Sequence, residues 1–205
     1  MSDVVEFDQY HRVKPAPPLV FIDMIEDQLE PEEGFGARDV DAVLGKCRIL
    51  LEEARMRHWP VAFVRSPAPN FPGYPRRASR WIEGFEPRRS DMIFERAGSS
   101  CYSNDQFASA MDDAGRVFVI AGFSADSVCL STLMDAAAHD HFVGLVCDGS
   151  ATRPLPGFDA AESHRSVVAV ASRYATIVTA EHWIEVAAGP AQSPAQKRAN
   201  VSNLR

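Results

Sequence analysis

The chain is poor in the features that mark several functional classes. Its 205 residues include only four cysteines, Cys47, Cys101, Cys129 and Cys147, with no Cys-x-x-Cys pair. Three of them lie in or beside apolar runs, which reads as reduced thiols of a cytoplasmic protein rather than a disulfide framework or zinc ribbon. The six histidines, at 11, 58, 139, 141, 164 and 182, show no ligand spacing, so no metal is expected. Basic runs are missing and the formal net charge is −7, which argues against a nucleic-acid partner. No apolar run approaches the ~20 residues needed to cross a bilayer, so no membrane partner is expected. A Gly-x(4)-Gly-Lys loop is missing. Gly34-Phe35-Gly36 follows a loop rather than a strand and has no third glycine, so no cofactor is expected. The opening MSDVVEFDQYHR has no charged-then-apolar leader, in keeping with the cytoplasmic expectation.

What is present is an ordinary globular composition, 46% hydrophobic and 24% charged, long enough to bury a core without crosslinks. Residues 1–17, ending in Lys14-Pro15-Ala16-Pro17, read as an extended lead-in. Residues 18–187 read as one domain, and 188–205, rich in Pro, Gln, Ser and Asn, as a disordered tail. Within the domain, short apolar runs alternate with helix-length segments. Strands are expected at 19–22, 61–64, 92–94, 117–121, 142–147 and 176–178. Helices are expected at about 38–58, 104–113, 127–140 and 158–172, the first from Val40, Val43, Leu44, Cys47, Leu51 and Ala54 at helical spacing. Residues 66–90 contain five prolines and no periodicity, and form a long loop.

Continuous apolar strands separated by helices imply a parallel sheet covered on both faces. In such sheets the active site lies beyond the carboxyl ends of the strands, where Asp23, Gly122 and Asp148 fall. Asp23 is either a partly desolvated general acid or base, or a cap for the following turn. The segment Gly122–Cys129 turns a strand into a helix, whose first amides suit an oxyanion or an activated thiol. Cys129 is either a nucleophile or an inert buried thiol. Arg96 is either a stabiliser of developing negative charge or a surface partner of Glu95 or Glu86. Tyr102, Phe71, Tyr74 and Trp81 either line an aromatic pocket or pack on the sheet edge. Arginines 65, 76, 77, 80, 88 and 89, in and around the proline-rich loop, suit either an anionic substrate or a solvated or subunit-contacting loop.

Taken in order, these motifs resemble the isochorismatase-like, or cysteine hydrolase, superfamily. The resemblance rests on Ile22-Asp23-Met24; Arg96 followed by Ser100-Cys101-Tyr102; Ala121-Gly122 leading to Cys129, Thr132 and Asp135-Ala136; Val146-Cys147-Asp148-Gly149; and His164. It implies an α/β, Rossmann-like three-layer αβα sandwich with a six-stranded parallel sheet, and a homo-oligomer. It implies hydrolysis of a small-molecule substrate, most often a C–N bond in an amide or urea, by a Cys nucleophile, an Asp base and a Lys. On that pattern Asp23, Arg96 and Cys129 are the catalytic residues. Ala125, Val128, Tyr102 and Trp81 are the substrate-binding ones.

Two departures bear on the chemistry. The Lys position holds Arg96, which supplies charge but does not shuttle protons. The usual Cys slot holds Val128, with Cys129 one residue on, about 100° round an α-helix. Members that cleave the vinyl ether of isochorismate also lack Cys at that slot. A vinyl-ether hydrolase and a catalytically silent binding relative therefore stand beside the thiol enzyme.

Overall fold

Strand β1 (Leu19–Ile22) is apolar at every position because it is buried on both faces. The computed structural model describes residues 16–29, 35, 37–67 and 79–189. Residues 190–205 of the expected tail, the first fifteen residues of the lead-in, and Phe71, Tyr74, Arg76 and Arg77 fall outside these ranges, whereas Ala188 and Gly189, which the sequence reading places in the tail, are the end and the cap of the last helix. After β1 the chain forms α1 (Ala37–Met56), β2 (Val61–Arg65), β3 (Met92–Glu95), α2 (Asp105–Asp113) and β4 (Val117–Gly122). It continues through α3 (Leu130–Ala138), β5 (Phe142–Ser150), α4 (Ala160–Ala171), β6 (Thr176–Val178) and α5 (Ala180–Ala188).

The six strands are parallel in the order β3-β2-β1-β4-β5-β6. The chain steps outward from β1 to β3, crosses back to β4, and steps outward again to β6. β1 and β4 therefore flank the switch point, where loops diverge and leave a crevice above the carboxyl ends.

Alternation along the strands sorts the core into two layers. Leu19, Phe21, Val61, Phe63, Val119 and Ala121 pack with α1 and α5, including Leu44, Leu50 and the fully buried Trp183. Val20, Ile22, Ala62, Val64, Phe118 and Ile120 pack with Phe107 and Met111 of α2, Leu133 and Ala136 of α3 and Ala171 of α4. Each face buries a full layer of large apolar side chains, at roughly 1.5–3 kcal/mol apiece. This is the three-layer α/β arrangement expected from the sequence.

Two elements differ from the sequence reading. β5 continues past Asp148 to Ser150, because its pairing with β4 slips between Ile120 and Gly122. Helix α5 was not anticipated. Thr179 caps it by accepting from the His182 N–H at 3.2 Å, and Asp148 accepts from the Ala180 N–H at 2.7 Å. Asp148 also meets Lys46 Nζ at 3.3 Å, so this strand-end carboxylate fastens α1 and α5 to the sheet.

Candidate active site

Asp23 follows β1 at the switch point and turns the chain out of the strand with φ +48°. Aspartate tolerates this left-handed region better than most residues, and such conformations gather at functional sites. Its backbone N–H donates to Val64 O at 2.8 Å, while its Oδ1 accepts from the Ser66 N–H at 3.0 Å. Arg96 comes from the far side of β2: its own N–H donates to Arg65 O at 2.9 Å, extending the β2–β3 pairing by one residue. That anchor sends Arg96 Nη2 to within 2.5 Å of Asp23 Oδ2, while Nη1 donates to Gly98 O at 2.6 Å.

Asp23 is 1% exposed. Burial pushes its carboxyl above the ordinary carboxylate value, even though Arg96, Ser66 and Arg153 all pull the other way. Desolvation therefore outweighs the ion pair in setting the direction of the shift. The Arg96 Nε is buried with no acceptor among the described residues.

Beside Asp23, β4 ends at Gly122, with φ +117° and so little room that a Cβ would lie 2.1 Å from Ile22 O. The next peptide, Phe123–Ser124, is cis. The chain then makes a π turn, Ala125–Cys129, before α3: the Cys129 N–H reaches Ser124 O at 3.1 Å and the Leu130 N–H reaches Ala125 O. A π turn holds one residue more than an α turn, so Val128 and Cys129 do not sit as they would on an unbroken α-helix. Both enter the layer that contains Ile22 and Val64. The Ala125 N–H donates to Ala151 O at 2.6 Å, so the amides of Ala125 and Cys129 are bonded within the fold.

Cys129 has no exposed surface. Burial pushes its thiol well up, and the nearby Cys101, Asp23 and Asp126 push it further. Cys101 is equally buried and is pushed up to about 12 by burial. Its N–H donates to Thr132 Oγ1 at 3.1 Å, which sets it against α3 one turn beyond Cys129. The structure thus brings Asp23, Arg96, Cys101 and Cys129 into one neighbourhood.

Of the residues expected to bind substrate, Ala125 and Val128 are 1% and 6% exposed and belong to the core beneath the turn. Trp81 lies over the same rim. It bridges Ile25 in antiparallel fashion, the Ile82 N–H donates to Met24 O at 3.0 Å, and the indole packs on Phe63 under the Arg65 guanidinium. Tyr102 points elsewhere. Its hydroxyl meets His141 Nδ1 at 2.6 Å and its ring stacks on His139, toward the amino-terminal end of β5. His164 joins Thr152 Oγ1 to Cys147 O, a structural strut. Among the described residues no group of three His, Cys, Asp or Glu is placed to hold a metal ion, and no helix is long and apolar enough to cross a membrane.

Sequence reasoning missed Arg153, which is close enough for its charge to act on Asp23. The rule that sites gather beyond strand ends would have found it, had β5 been read to its true end.

A parallel sheet with a buried acid and its arginine at the switch point defines an α/β protein with a candidate site above the carboxyl ends of its strands. An isochorismatase-domain family model matches residues 17–182, and the chain belongs to that family. Among solved structures it resembles an isochorismatase from Pseudomonas putida KT2440, at 22% identity, TM-score 0.70, covering 83% of this chain and 93% of that one. It also resembles an isochorismatase-family hydrolase from Chromobacterium violaceum, at 22% identity and TM-score 0.73, covering 85% and 95%. A cysteine hydrolase from Pseudomonas syringae aligns at 17% identity and TM-score 0.73, covering 86% and 94%. No curated protein sequence matches the chain.

Proposed function

We propose that the protein hydrolyses a small organic molecule by proton transfer from Asp23, with water rather than a thiol as the nucleophile. The observation that carries this reading is the Asp23 carboxyl, buried and raised above its ordinary value while an arginine stands beside it. A buried acid of this kind suits protonation of an enol-ether carbon. Asp23 gives its proton to the double bond, leaving an oxocarbenium ion. Water adds to that ion and returns a proton to Asp23, and the hemiketal collapses to a carbonyl compound and an alcohol. Arg96 steadies the carboxylate in the interval, a role that needs fixed charge and no proton shuttling. The complete burial and raised pKa of Cys129 support a route without thiolate, since the thiolate is the attacking species.

A second reading, amide or urea hydrolysis through Cys129, is favoured by the π turn and by the closeness of the thiol to the Asp23 charge. Turnover of isochorismate and of simple amides by the wild type, Asp23→Asn and Cys129→Ala separates the two. The expected result is enol-ether cleavage that survives Cys129→Ala and falls by at least about 100-fold in Asp23→Asn. In D2O the product should carry deuterium on the carbon protonated. Amide turnover abolished by Cys129→Ala would establish the thiol route instead, and no turnover of either class would favour a binding relative.

A further inference from the structure

We infer that a groove between α1 and the segment leading into β3 is a second ligand site, which receives a phosphate monoester of a small hydroxylated molecule at Arg48 and Arg88. The groove encloses about 440 Å³ and is walled by Arg48, Leu51, Arg55 and Met56 of α1 and by Gly84 and Arg88, with Glu52 at its side. Positions 48, 51, 52, 55 and 56 are spaced as one face of a helix. α1 ends shortly before β2 begins, and Arg88 lies four residues before β3, so the groove sits toward the amino ends of the strands. It is separate from the mouth that holds Asp23 and Arg96. It takes in one of the arginines that the sequence gathers around the proline-rich loop.

Buried groups beneath the groove set its walls. Arg55 Nη2 donates to Glu86 O at 2.8 Å and meets Asp91 Oδ2 at 3.4 Å, and the same Oδ2 accepts from the Arg88 backbone N–H at 2.8 Å. The Asp91 side chain is 5% exposed, so a buried carboxylate ties the loop to the helix at the residue that carries the Arg88 side chain. On the helix wall, the Arg48 guanidinium lies 5.7 Å from the centroid of the Phe85 ring, which is fully buried against Phe21. An arginine lying on an aromatic face keeps the edge of its planar fork for a ligand. Walls fixed before binding reduce the ordering cost of binding.

The charges around the groove point to the ligand. Asp91 offsets Arg55, whereas among the described residues neither Arg48 nor Arg88 forms an ion pair with an acid. Two exposed guanidiniums lining one groove repel each other until an anion joins them. Together they present more donors than one carboxylate can accept. A phosphate monoester matches them better, with three terminal oxygens and a charge of roughly −1.5 to −2 at neutral pH. The Glu52 carboxylate only accepts hydrogen bonds and repels a second anionic group, so it suits hydroxyl donors on the rest of the ligand. Leu51 and Met56 give that body an apolar wall, and the volume lies in the range of small-molecule sites.

Calorimetric titration of the full chain with glycerol 3-phosphate, inorganic phosphate and glycerol, at one fixed ionic strength, tests this. Glycerol 3-phosphate should bind once per chain and more tightly than inorganic phosphate, and glycerol should not bind. Arg48→Gln and Arg88→Gln should each weaken glycerol 3-phosphate by about 10-fold or more. Their thermal midpoints should stay near that of the wild type, because both side chains are exposed. Glu52→Ala should erase the preference for glycerol 3-phosphate over inorganic phosphate. Asp23→Asn should bind as the wild type does, which separates the groove from the mouth and from the hydrolase reading. No binding of glycerol 3-phosphate, equal affinity in the wild type and a variant carrying both arginine substitutions, or loss of binding in Asp23→Asn would each overturn the site. Equal affinity of the wild type for the two phosphates would overturn the hydroxylated ligand.

Discussion

Arg96 and Asp23 stand 73 residues apart in sequence and meet at 2.5 Å, an ion pair 13% and 2% exposed. The pair joins the end of β1 to the residue after β3 across the intervening strand β2. Burial raises the carboxyl above its ordinary value although its partner pulls the other way, so desolvation sets the direction of the shift.

That balance has a signature in stability against pH. A carboxyl whose folded pKa lies above its unfolded one binds its proton more tightly in the folded state. Its contribution is most favourable below the unfolded pKa and is lost as pH rises through the folded value. Denaturant unfolding of wild type and Asp23→Asn across that acid range should therefore give a stability difference that shifts against the wild type as pH rises. A difference that is flat with pH would contradict the raised carboxyl.

Thiol labelling should follow burial. Cys47, Cys101 and Cys129 have no exposed surface, whereas Cys147 is partly exposed, and burial raises all four pKa values. Iodoacetamide at neutral pH should modify Cys147 first and leave Cys129 unmodified until the chain unfolds. Rapid labelling of native Cys129, read by peptide mass mapping, would revive the thiol nucleophile.

Tyr102 should matter to stability and not to substrate. Replacing it with Phe deprives the buried His141 ring of its 2.6 Å partner. The expected loss is about 1–3 kcal/mol of unfolding free energy, with KM unchanged. A KM shift without loss of stability would return Tyr102 to the binding surface.

Gly122→Ala should damage the fold at the switch point. The new methyl would meet Ile22 O at 2.1 Å in a backbone with φ +117°, which neither β1 nor β4 can vacate without breaking the sheet. A loss on the order of 3 kcal/mol or more is expected in thermal or denaturant unfolding. Wild-type stability in this variant would mean that the two strands separate more easily than their pairing indicates.

Much of the architecture was legible because burial writes itself into residue order. Leu19–Ile22 and Val117–Gly122 are apolar throughout because helices cover both faces of their sheet. Asp23 stood out as the first charge after such a run. α5 was harder to read, since its nine residues carry only a short apolar stripe and its start depends on Thr179 and the distant Asp148. Arg153 escaped notice because β5 outruns its apolar stretch: Asp148 looks like a strand end, yet a slipped register carries the pairing to Ser150.

The sequence alone determined that this chain folds as alternating strands and helices with an acid at the lip of its first strand, because hydrophobic periodicity and strand-end position are local properties. Only the tertiary structure decided that Arg96 faces that acid, that a π turn sets how Val128 and Cys129 enter the core, and that Arg153 overlooks the same rim. Each depends on groups distant in the chain or on one hydrogen bond reaching a residue further back, and neither composition nor spacing encodes such distances.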